Sequence, residues 1–317
     1  MDDIKFTIAI PAYKSLYLDE AIESIVSQKY VNWELIILDD CSPYDVEGVS
    51  SAYVNKDNRI KYYRNTVNVG AVDVVDNWNK CLELSTGDFF LCMGDDDLLS
   101  EDCLSVYYKY IKEYSCFDIF HAATEIIDEN SDFLNLQEAR PLTESVYSMA
   151  WHRLLRKRDQ YIGDFLFKTK ALKSIGGFYK LPLAWSSDDI TTYLCAVEKG
   201  IINIPDHLFS YRVNRHTISN TGNVLIKLEA IVKEELWYRE YLLTLVPQTE
   251  LDSKYRTLIS KVLNPSFSRK RVSTIAFGLS SVVHLYKLVR KRKDYQVSMK
   301  EVMLALLLRC YNLNKNN

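Results

Sequence analysis

The sequence predicts an α/β fold in which a mainly parallel sheet is flanked by helices and followed by a helical C-terminal region. Three features of the 317 residues indicate this. Short apolar runs alternate with stretches of helical periodicity, acidic residues follow two of those runs, and beyond about residue 223 only helical patterns continue. Alternating strands and helices favour a parallel sheet, in which ligands bind beyond the carboxyl ends of the strands.

The elements of the first half come in a strand-then-helix order. Residues 5–10 are predicted to form a buried strand that Pro11 ends, and residues 18–28 carry apolar side chains at helical spacing. The later predictions are a second strand at 35–38, a third at 60–63, a helix at 71–84 and a fourth strand within 89–94. Acidic residues follow the second and fourth of these strands.

The acidic triplet Asp95-Asp96-Asp97 follows the fourth predicted strand. Carboxylate oxygens suit Mg²⁺ or Mn²⁺, and Mg²⁺ is usually held by one or two carboxylates together with substrate phosphates. A metal here would therefore imply a phosphate-bearing ligand. The triplet alone also fits a solvated turn, or the acidic start of a helix near Ser100 and Glu101.

A series of short motifs runs along residues 4–220 in a fixed order. They lie at 8–13, 24–28, 33–42, 77–79, 86–88, 95–97, 175–178, 188–189, 198–200 and 211–212, with Ser219 after the last. Together these motifs resemble family 2 glycosyltransferases of the GT-A fold, a Rossmann-like α/β architecture, and in particular the bacterial surface-polysaccharide type. The resemblance implies inverting transfer of a sugar from a nucleotide-diphosphate donor to a hydroxyl of a glycan acceptor.

For the donor, the resemblance implies that Pro11, Ala12 and Tyr13 lie beside the nucleotide base, which in this family is most often uracil. Asp40 matches the residue that accepts a hydrogen bond from that base. An aspartate pair before Ser-Pro also suits the capping of a turn, so Asp39 and Asp40 have this structural alternative.

For the metal, the family pattern is an acid, any residue and two further acids, and Gly94 stands where the first acid is usual. This alignment assigns metal binding to Asp96, contact toward the ribose to Asp95 and a supporting role at the metal to Asp97. A shift of one residue would exchange these roles. The implied Mn²⁺ or Mg²⁺ would bridge the donor phosphates and take up charge on the leaving nucleoside diphosphate.

For the acceptor, Asp189 matches the general base of the family, and Asp188 and Trp185 are placed beside the acceptor. A carboxylate near a dry sugar pocket can have its pKa raised toward neutrality, which favours general-base catalysis. Two acids before a helix also suit its N-terminal dipole, and a tryptophan equally suits the core. The interpretation requires Asp96 and Asp189 to face one cleft.

A basic group formed by Arg212, Arg215 and His216 lies in a region that this family uses to close over the donor. The resemblance therefore implies that Arg212 contacts the diphosphate, for which a guanidinium is well shaped. Family members often carry a histidine where this chain has Asn214. Each of these charges has the alternative of a solvated loop position.

Composition restricts the remaining classes of protein. A net charge of −3 argues against nucleic-acid binding. Seven cysteines without paired spacing suggest neither a zinc site nor a disulfide framework, and they fit a reducing cytoplasm. The start has no signal-peptide pattern, and no uncharged stretch is long enough to span a membrane. These observations predict a cytoplasmic location.

The predicted domains are a catalytic unit at 1–222, divided near residue 98 into nucleotide-sugar and acceptor halves, and a helical region at 223–317. In that region an apolar stripe is formed by Leu225, Leu228, Val232 and Leu236. Farther on, apolar residues between 272 and 289 are predicted to line one helix face, and residues 265–300 carry nine Lys or Arg and one acid. Such a segment either packs on the catalytic unit or contacts the inner face of an anionic membrane, where a lipid-linked acceptor would lie.

A metal-dependent inverting glycosyltransferase of polysaccharide biosynthesis, moving a hexosyl or N-acetylhexosaminyl group, is therefore the favoured interpretation. The alternatives are a non-catalytic glycosyltransferase-like subunit of a synthase complex and another nucleotide-sugar enzyme, such as a nucleotidyltransferase. A nucleotidyltransferase would need a glycine-rich basic loop after the first strand, and residues 11–17 offer only Lys14. The retained acids argue against a non-catalytic subunit.

Overall fold

The computed structural model describes residues 4–214, 223–279 and 281–315, and within these ranges ten strands form one mixed sheet. The strands are β1 (Phe6–Ala12), β2 (Trp33–Asp39), β3 (Ile60–Arg64), β4 (Phe89–Cys92), β5 (Leu98–Leu99), β6 (Ile119–Ile127), β7 (Phe133–Leu136), β8 (Thr143–Glu144), β9 (Phe165–Lys168) and β10 (Ile201–Arg212). The helices are α1 (Leu18–Val26), α2 (Val46–Val54), α3 (Val74–Leu84), α4 (Cys103–Glu113), α5 (Val146–Leu154), α6 (Thr169–Ser174), α7 (Ser187–Ala196), α8 (Val224–Glu240), α9 (Glu250–Gly278), α10 (Val282–Lys291) and α11 (Met299–Lys315). The predicted α/β class with a helical C-terminal region is confirmed.

The sheet has the order β3-β2-β1-β4-β9-β6-β10-β5, with β7 beside β6 and β8 beside β10. Strands β3, β2, β1 and β4 are parallel, as the sequence predicts. Strand β9 is antiparallel to both of its neighbours, β4 and β6, so β6 again points in the direction of β4. The carboxyl ends of β1, β2, β4 and β6 therefore lie at the same edge of the sheet.

Strand β1 continues through Pro11 to Ala12, two residues beyond its predicted end. The reason is the pairing on either side of it. Met93 donates its N–H to the carbonyl of Ala9 at 3.0 Å, and β4 ends there, so the missing N–H of Pro11 falls past the last partner on that side. Pairing with β2 continues and brings Ala12 opposite Asp39.

Helices cover both faces of the sheet, because successive side chains of a strand point to opposite faces. On one face Ile8 of β1 packs in a buried apolar cluster with residues of α1 and α4. On the other face Ala9 belongs to a second cluster that includes α3, α5, α7 and the C-terminal helices. The acidic edge of the sheet is thus held between two packed layers.

The C-terminal helices are continuous with the core of the catalytic region. Buried Leu228 of α8, Phe267 of α9 and Val302 of α11 belong to the same apolar cluster as Trp78 and Phe90. Burying such side chains stabilises a fold by about 1.5–3 kcal/mol each relative to exposure. The region after residue 223 is therefore part of the folded unit that presents the site.

The buried face of α8 differs from the apolar stripe that the sequence predicts. Leu228 is buried, but Leu236 is exposed, and the buried face includes Glu234 and Glu235. These carboxylates pair with Lys270 and Arg271 of α9 at 2.5 and 2.6 Å. Because paired charges can replace apolar residues in a helix interface, apolar periodicity alone selects the wrong face.

The predicted basic amphipathic helix within 265–300 is not one helix, and this expectation is wrong. Helix α9 passes through Pro265 and ends at Gly278, and α10 begins at Val282. Ile275 and Leu279 are buried in the core, whereas Val283 and Tyr286 are exposed. The residues of the expected apolar face are therefore partly in the core and partly in contact with solvent. None of the described helices has the length and apolar character needed to cross a membrane.

Candidate active site

A cavity of about 670 Å³ opens at the carboxyl edge of the parallel strands. Its walls come from the loop after β1, the loop after β4, the segment before α7 and residues 159–162. It brings together many residues that the sequence singles out, namely Pro11, Ala12, Tyr13, Asp40, Asp95, Asp96, Asp97, Trp185 and Asp188. We call it the first cavity.

The two aspartates after β2 have different surroundings. Asp39 is fully buried, and its carboxylate accepts hydrogen bonds from the N–H of Ser42 at 2.7 Å and the hydroxyl of Tyr62 at 2.6 Å. Asp39 therefore has the turn-capping role. Asp40 lines the first cavity, and its carboxylate is fixed by the side chains of Asn65 and Asn68 at 2.9 and 3.0 Å.

The outer members of the acidic triplet are tied to the backbone. Asp95 accepts hydrogen bonds from the N–H groups of Tyr13 and Lys14 at 2.8 and 2.7 Å, which joins the loop after β4 to the loop after β1. Burial and the neighbouring charge of Asp96 raise the pKa of Asp95 to about 6. Asp97 is 3% exposed, and burial raises its pKa well above its usual range.

Asp96 is the least buried acid of the three. Its carboxylate accepts a hydrogen bond from Asn214 Nδ2 at 2.5 Å and lies 3.9 Å from Lys14 Nζ. Asn214, which stands where a histidine is common in the resembled family, therefore touches the acid that the sequence assigns to metal.

The donor set fits a divalent cation that is completed by substrate. Within the described ranges no group of three or more His, Cys, Asp or Glu side chains is arranged to hold a metal alone. Mg²⁺ is commonly bound through one or two carboxylates plus substrate phosphates, and Asp96 meets that requirement. A side chain at Gly94 would meet Asp97 Oδ2 at 2.7 Å and Asp96 Oδ1 at 2.8 Å, so the present positions of these acids leave no room for an acid at 94.

Arg212 lies beneath the triplet and does not line the first cavity. It is fully buried, its N–H donates to Asp97 Oδ1 at 3.0 Å, and its Nε donates to the carbonyl of Asp96 at 2.8 Å. The guanidinium also pairs with Glu20 at 2.8 Å and lies 4.3 Å from the ring centroid of Tyr17. The guanidinium thus holds the acidic loop in place and has no surface in the cavity. Arg215, His216 and Ser219 lie outside the described residues.

Asp189 lines a second cavity of about 450 Å³, which adjoins the first. Arg153, Trp185 and Lys270 line both cavities and form the wall between them. Asp96 and Asp189 therefore do not line one cleft, as the sequence interpretation requires, but neighbouring cavities with a shared wall. Asp188 is the acid of this pair that faces the first cavity.

Arg153 of α5 holds Asp189 through Nε, which donates to the two carboxylate oxygens at 3.0 and 3.1 Å. Asp189 is 2% exposed, whereas the side chain of Arg153 is 28% exposed, so the carboxylate end of this ion pair is the buried one. Burial opposes the charge of Arg153, but Asp189 and Asp188 raise the pKa of the guanidinium above its usual range. The pair therefore holds the carboxylate of Asp189 in one orientation.

The pKa of Asp188 is raised to about 7, first by burial and then by the negative charge of Asp189. A group whose pKa is higher in the folded than in the unfolded state lowers stability as pH rises between the two values. We therefore expect Asp188→Asn to increase the free energy of unfolding at pH 8, by up to about 4 kcal/mol, with no difference below about pH 4. Urea unfolding of both proteins from pH 4 to pH 8 measures this, and a constant difference across that range would contradict it.

Several residues of the site were not predicted. Gln160 is 6% exposed, lines the first cavity, and its Nε2 has no hydrogen-bond partner in the described part of the chain. Tyr161 stacks on Tyr211 at 3.9 Å between ring centroids, beside the same cavity. Neither Gln160 nor Arg153 belongs to a motif, so only their position in space identifies them. Trp185, which was predicted, borders both cavities. The ammonium nitrogen of Lys227 lies 4.8 Å from the centroid of its ring.

The chain is similar to known glycosyltransferases in sequence and in structure. The model of Glycosyl transferase family 2 matches residues 7–174. The putative teichuronic acid biosynthesis glycosyltransferase TuaG of Bacillus subtilis (strain 168) is 25% identical over 240 residues, which cover 74% of this chain and 87% of TuaG.

Two solved structures share the fold. S. aureus TarS 1–349, in complex with UDP-GlcNAc, matches with a TM-score of 0.69 and 17% identity over 98% of this chain and 89% of that one. The mannosyltransferase PcManGT from Pyrobaculum calidifontis, in complex with GDP-Man and Mn²⁺, matches with a TM-score of 0.56 and 14% identity over 98% of this chain and 88% of that one. The expected GT-A fold is thereby confirmed. Because the family model covers more than half of its length, the chain belongs to glycosyl transferase family 2 and is a glycosyltransferase.

Proposed function

We propose that this glycosyltransferase moves a sugar from a nucleotide-diphosphate donor, a UDP-sugar, to a hydroxyl of a glycan acceptor in polysaccharide biosynthesis. The observation that carries the proposal is the convergence of Asp40, Asp96 and Asp188 on one cavity, with Asp189 behind its wall. The relative TuaG is named for teichuronic acid biosynthesis, and the structural neighbours were solved with UDP-GlcNAc and with GDP-Man. These names support an acceptor in a surface polysaccharide and a nucleotide-sugar donor.

In this proposal the donor lies along the carboxyl edge of β1, β2 and β4. Pro11, Ala12 and Tyr13 border the nucleotide base, and Asp40 accepts its hydrogen bond. Asp40 Oδ1 already accepts hydrogen bonds from Asn65 and from the N–H of Val69, whereas Oδ2 accepts one from Asn68. Because each carboxylate oxygen has about two acceptor sites, Oδ2 can still accept a hydrogen bond from the base. Asp95 lies toward the ribose.

Mn²⁺ or Mg²⁺ is proposed to bind at Asp96, with Asp97 supporting that position from beneath. When bound, such an ion supplies Lewis-acid stabilisation of charge on the departing diphosphate. The residues of the chain fix where this happens, because Arg212 and the N–H of Gly94 hold Asp97, and Asn214 holds Asp96. Family members often carry a histidine at this position, whereas this chain has Asn214, whose amide donates a hydrogen bond to Asp96.

Asp189 is proposed as the general base. It takes the proton of the acceptor hydroxyl while the acceptor oxygen bonds to the anomeric carbon of the donor sugar and the bond from that carbon to the diphosphate oxygen breaks. A single displacement of this kind inverts the anomeric configuration. Arg153 holds Asp189 in one orientation before the reaction, and Asp188 and Trp185 border the acceptor.

Thermal stabilisation by a panel of nucleoside diphosphates, each with and without Mn²⁺, tests the donor assignment. We expect UDP with Mn²⁺ to raise the melting temperature most, because binding to the folded state alone stabilises it by mass action. Stabilisation by GDP and not by UDP would show that the donor is a GDP-sugar. If no nucleoside diphosphate of the panel raised the melting temperature, the proposed donor class would be contradicted.

The C-terminal region is also proposed to contact the inner face of an anionic membrane, in agreement with a cytoplasmic enzyme acting on a lipid-linked acceptor. Lys287, Arg290, Lys291 and Lys293 are exposed on and just after α10, beside exposed Tyr286. Each basic residue near such a surface contributes about 1 kcal/mol to binding.

Replacing these four basic residues together by glutamine in the full chain is expected to abolish flotation with phosphatidylserine-containing vesicles. Truncation near Asn264 would be a poor test, because it cuts α9 and removes buried core residues. Vesicles of phosphatidylcholine alone serve as the control. Equal flotation of wild type and the fourfold variant with anionic vesicles would exclude this contact.

A further inference from the structure

The first cavity is rich in acids, although the proposed donor brings a negatively charged diphosphate into it. In the part of the chain that the structure describes, six carboxyl groups line it against three cations, namely Asp40, Asp95, Asp96, Asp97, Asp159 and Asp188 against Lys14, Arg153 and Lys270. A metal ion at Asp96 would offset part of this charge. Because like charges repel at close range, the excess of acids favours a cation of the chain beside the phosphates as well.

Arg212, to which the family resemblance assigns this contact, cannot supply it. Its guanidinium is fully buried beneath the acidic triplet and does not line the first cavity. The cation must therefore come from the three that do line it.

Two of these three cations are held by partners within the protein. Arg153 Nε donates to Asp189 at 3.0 and 3.1 Å, and Lys270 Nζ donates to Glu234 at 2.5 Å and to Ser186 Oγ at 2.8 Å. Both residues also line the second cavity, on the side of the general base. Turning either of them to the diphosphate would break an ion pair with a buried carboxylate, which is costly.

Lys14 differs because only a loose ion pair engages its ammonium. Its Nζ lies 3.9 Å from Asp96 Oδ2, which is beyond hydrogen-bond distance, and within the described ranges this is the one carboxylate with which it pairs. The side chain is 30% exposed. The N–H donors of this ammonium are therefore available to a ligand in the cavity.

The backbone fixes the position from which Lys14 acts. The N–H groups of Tyr13 and Lys14 donate to Asp95 at 2.8 and 2.7 Å, so the start of this side chain is anchored beside the triplet. The side chain itself is a flexible four-carbon stem. A metal ion at Asp96 would repel the ammonium from the carboxylate oxygen that it now faces, and the stem allows it to turn to a phosphate at the same place.

We propose that Lys14 contacts the diphosphate of the donor, in the role that the resemblance assigns to Arg212. This inference rests on the proposed function, because that function places a nucleoside diphosphate in the first cavity. An ammonium group only donates and phosphate oxygens only accept, so the two are complementary in charge and in hydrogen bonding. The contribution of Lys14 to binding is therefore confined to ligands that carry phosphate.

Calorimetric titration of the full-length protein with UDP and with uridine, both at saturating Mn²⁺, tests this proposal. We expect Lys14→Gln to weaken the binding of UDP by about tenfold to a hundredfold, the loss of one charge-assisted hydrogen bond. The affinity for uridine should not change, because uridine has the base and the ribose but no phosphate. Lys14→Arg keeps the charge and should retain most of the affinity for UDP.

Lys29→Gln is the matched control, because the side chain of Lys29 is 55% exposed, pairs with Asp102 and lines neither cavity. It should bind UDP and uridine as the wild type does. The melting temperature of Lys14→Gln without ligand should also equal that of the wild type, because the side chain is partly exposed and its one ion pair is loose.

Unchanged affinity for UDP in Lys14→Gln, or an equal loss of affinity for UDP and uridine, would overturn the proposal. If the wild type binds GDP and not UDP, then GDP and guanosine replace the two probes. Failure of the wild type to bind any nucleoside diphosphate is a separate result and would count against the proposed donor class. In that event titration with inorganic pyrophosphate and Mg²⁺ still compares the two proteins, and equal or absent binding would overturn the role of Lys14.

Discussion

Replacing Asp189 by asparagine is expected to lower kcat for sugar transfer about a thousandfold, while the affinity for UDP stays the same. A positioned general base contributes about 10²–10⁴-fold, and asparagine keeps the size of the side chain but cannot take the acceptor proton. The variant also removes the closer of the two carboxylates that pair with Arg153 and leaves only Asp159 at 3.6 Å, so a lower melting temperature is expected as well. Single-turnover transfer assays, made well below that melting temperature, separate the two effects.

Asp206→Asn is the control for this substitution, because Asp206 is exposed on β10 and lines neither cavity. It should retain the activity of the wild type. Full activity of Asp189→Asn would show that Asp189 is not the base. The neighbouring Asp188, which faces the first cavity, would then become the candidate.

Asp96→Asn is expected to remove the Mn²⁺-dependent part of the stabilisation by UDP. A bound divalent ion is worth several kcal/mol at a developing charge, and each 1.36 kcal/mol is a tenfold change in rate. We therefore expect transfer to fall by about a thousandfold or more. Melting curves with UDP and a Mn²⁺ titration, together with initial rates, measure both consequences.

Asp102→Asn supplies the matched control, because Asp102 pairs with Lys29 at the surface and its side chain is 57% exposed. The stabilisation by UDP and Mn²⁺ should be unaffected there. If Asp96→Asn kept the full metal-dependent stabilisation, the assignment of Asp96 as a ligand would be wrong. Asp95 and Asp97 would remain poor substitutes in the present geometry, since each carboxylate already accepts two backbone hydrogen bonds.

The positions of the acidic residues that follow β2 and β4 could be predicted because they depend on local sequence. Apolar runs with strand character end at Asp39 and Cys92, and parallel strands present their carboxyl ends at one edge. The choice of Asp40 over Asp39 came from the family resemblance, and in the structure Asp39 ends β2 fully buried whereas Asp40 lines the first cavity. The family resemblance supplied the roles that periodicity does not give.

Arg212 and the C-terminal helices show where local reasoning stops. Arg212 has the residue type that binds phosphate, but its guanidinium donates to the carbonyl of Asp96 and to Glu20, 116 and 192 residues away in sequence, and is therefore turned away from the cavity. The buried glutamates of α8 belong in the core only because Lys270 and Arg271 lie opposite on α9. In both cases the position of a charge is decided by a partner that no nearby sequence signal reveals.

The sequence by itself determined the α/β order, the acidic strand ends and the membership of a glycosyltransferase family, because these depend on periodicity and on short motifs. Only the tertiary structure decided that Asp189 is held by Arg153, 36 residues away, and that it lies in a second cavity completed by α8 and α9. The physical reason is that charge pairing and cavity walls arise from contacts between distant segments, and these form only when the chain packs.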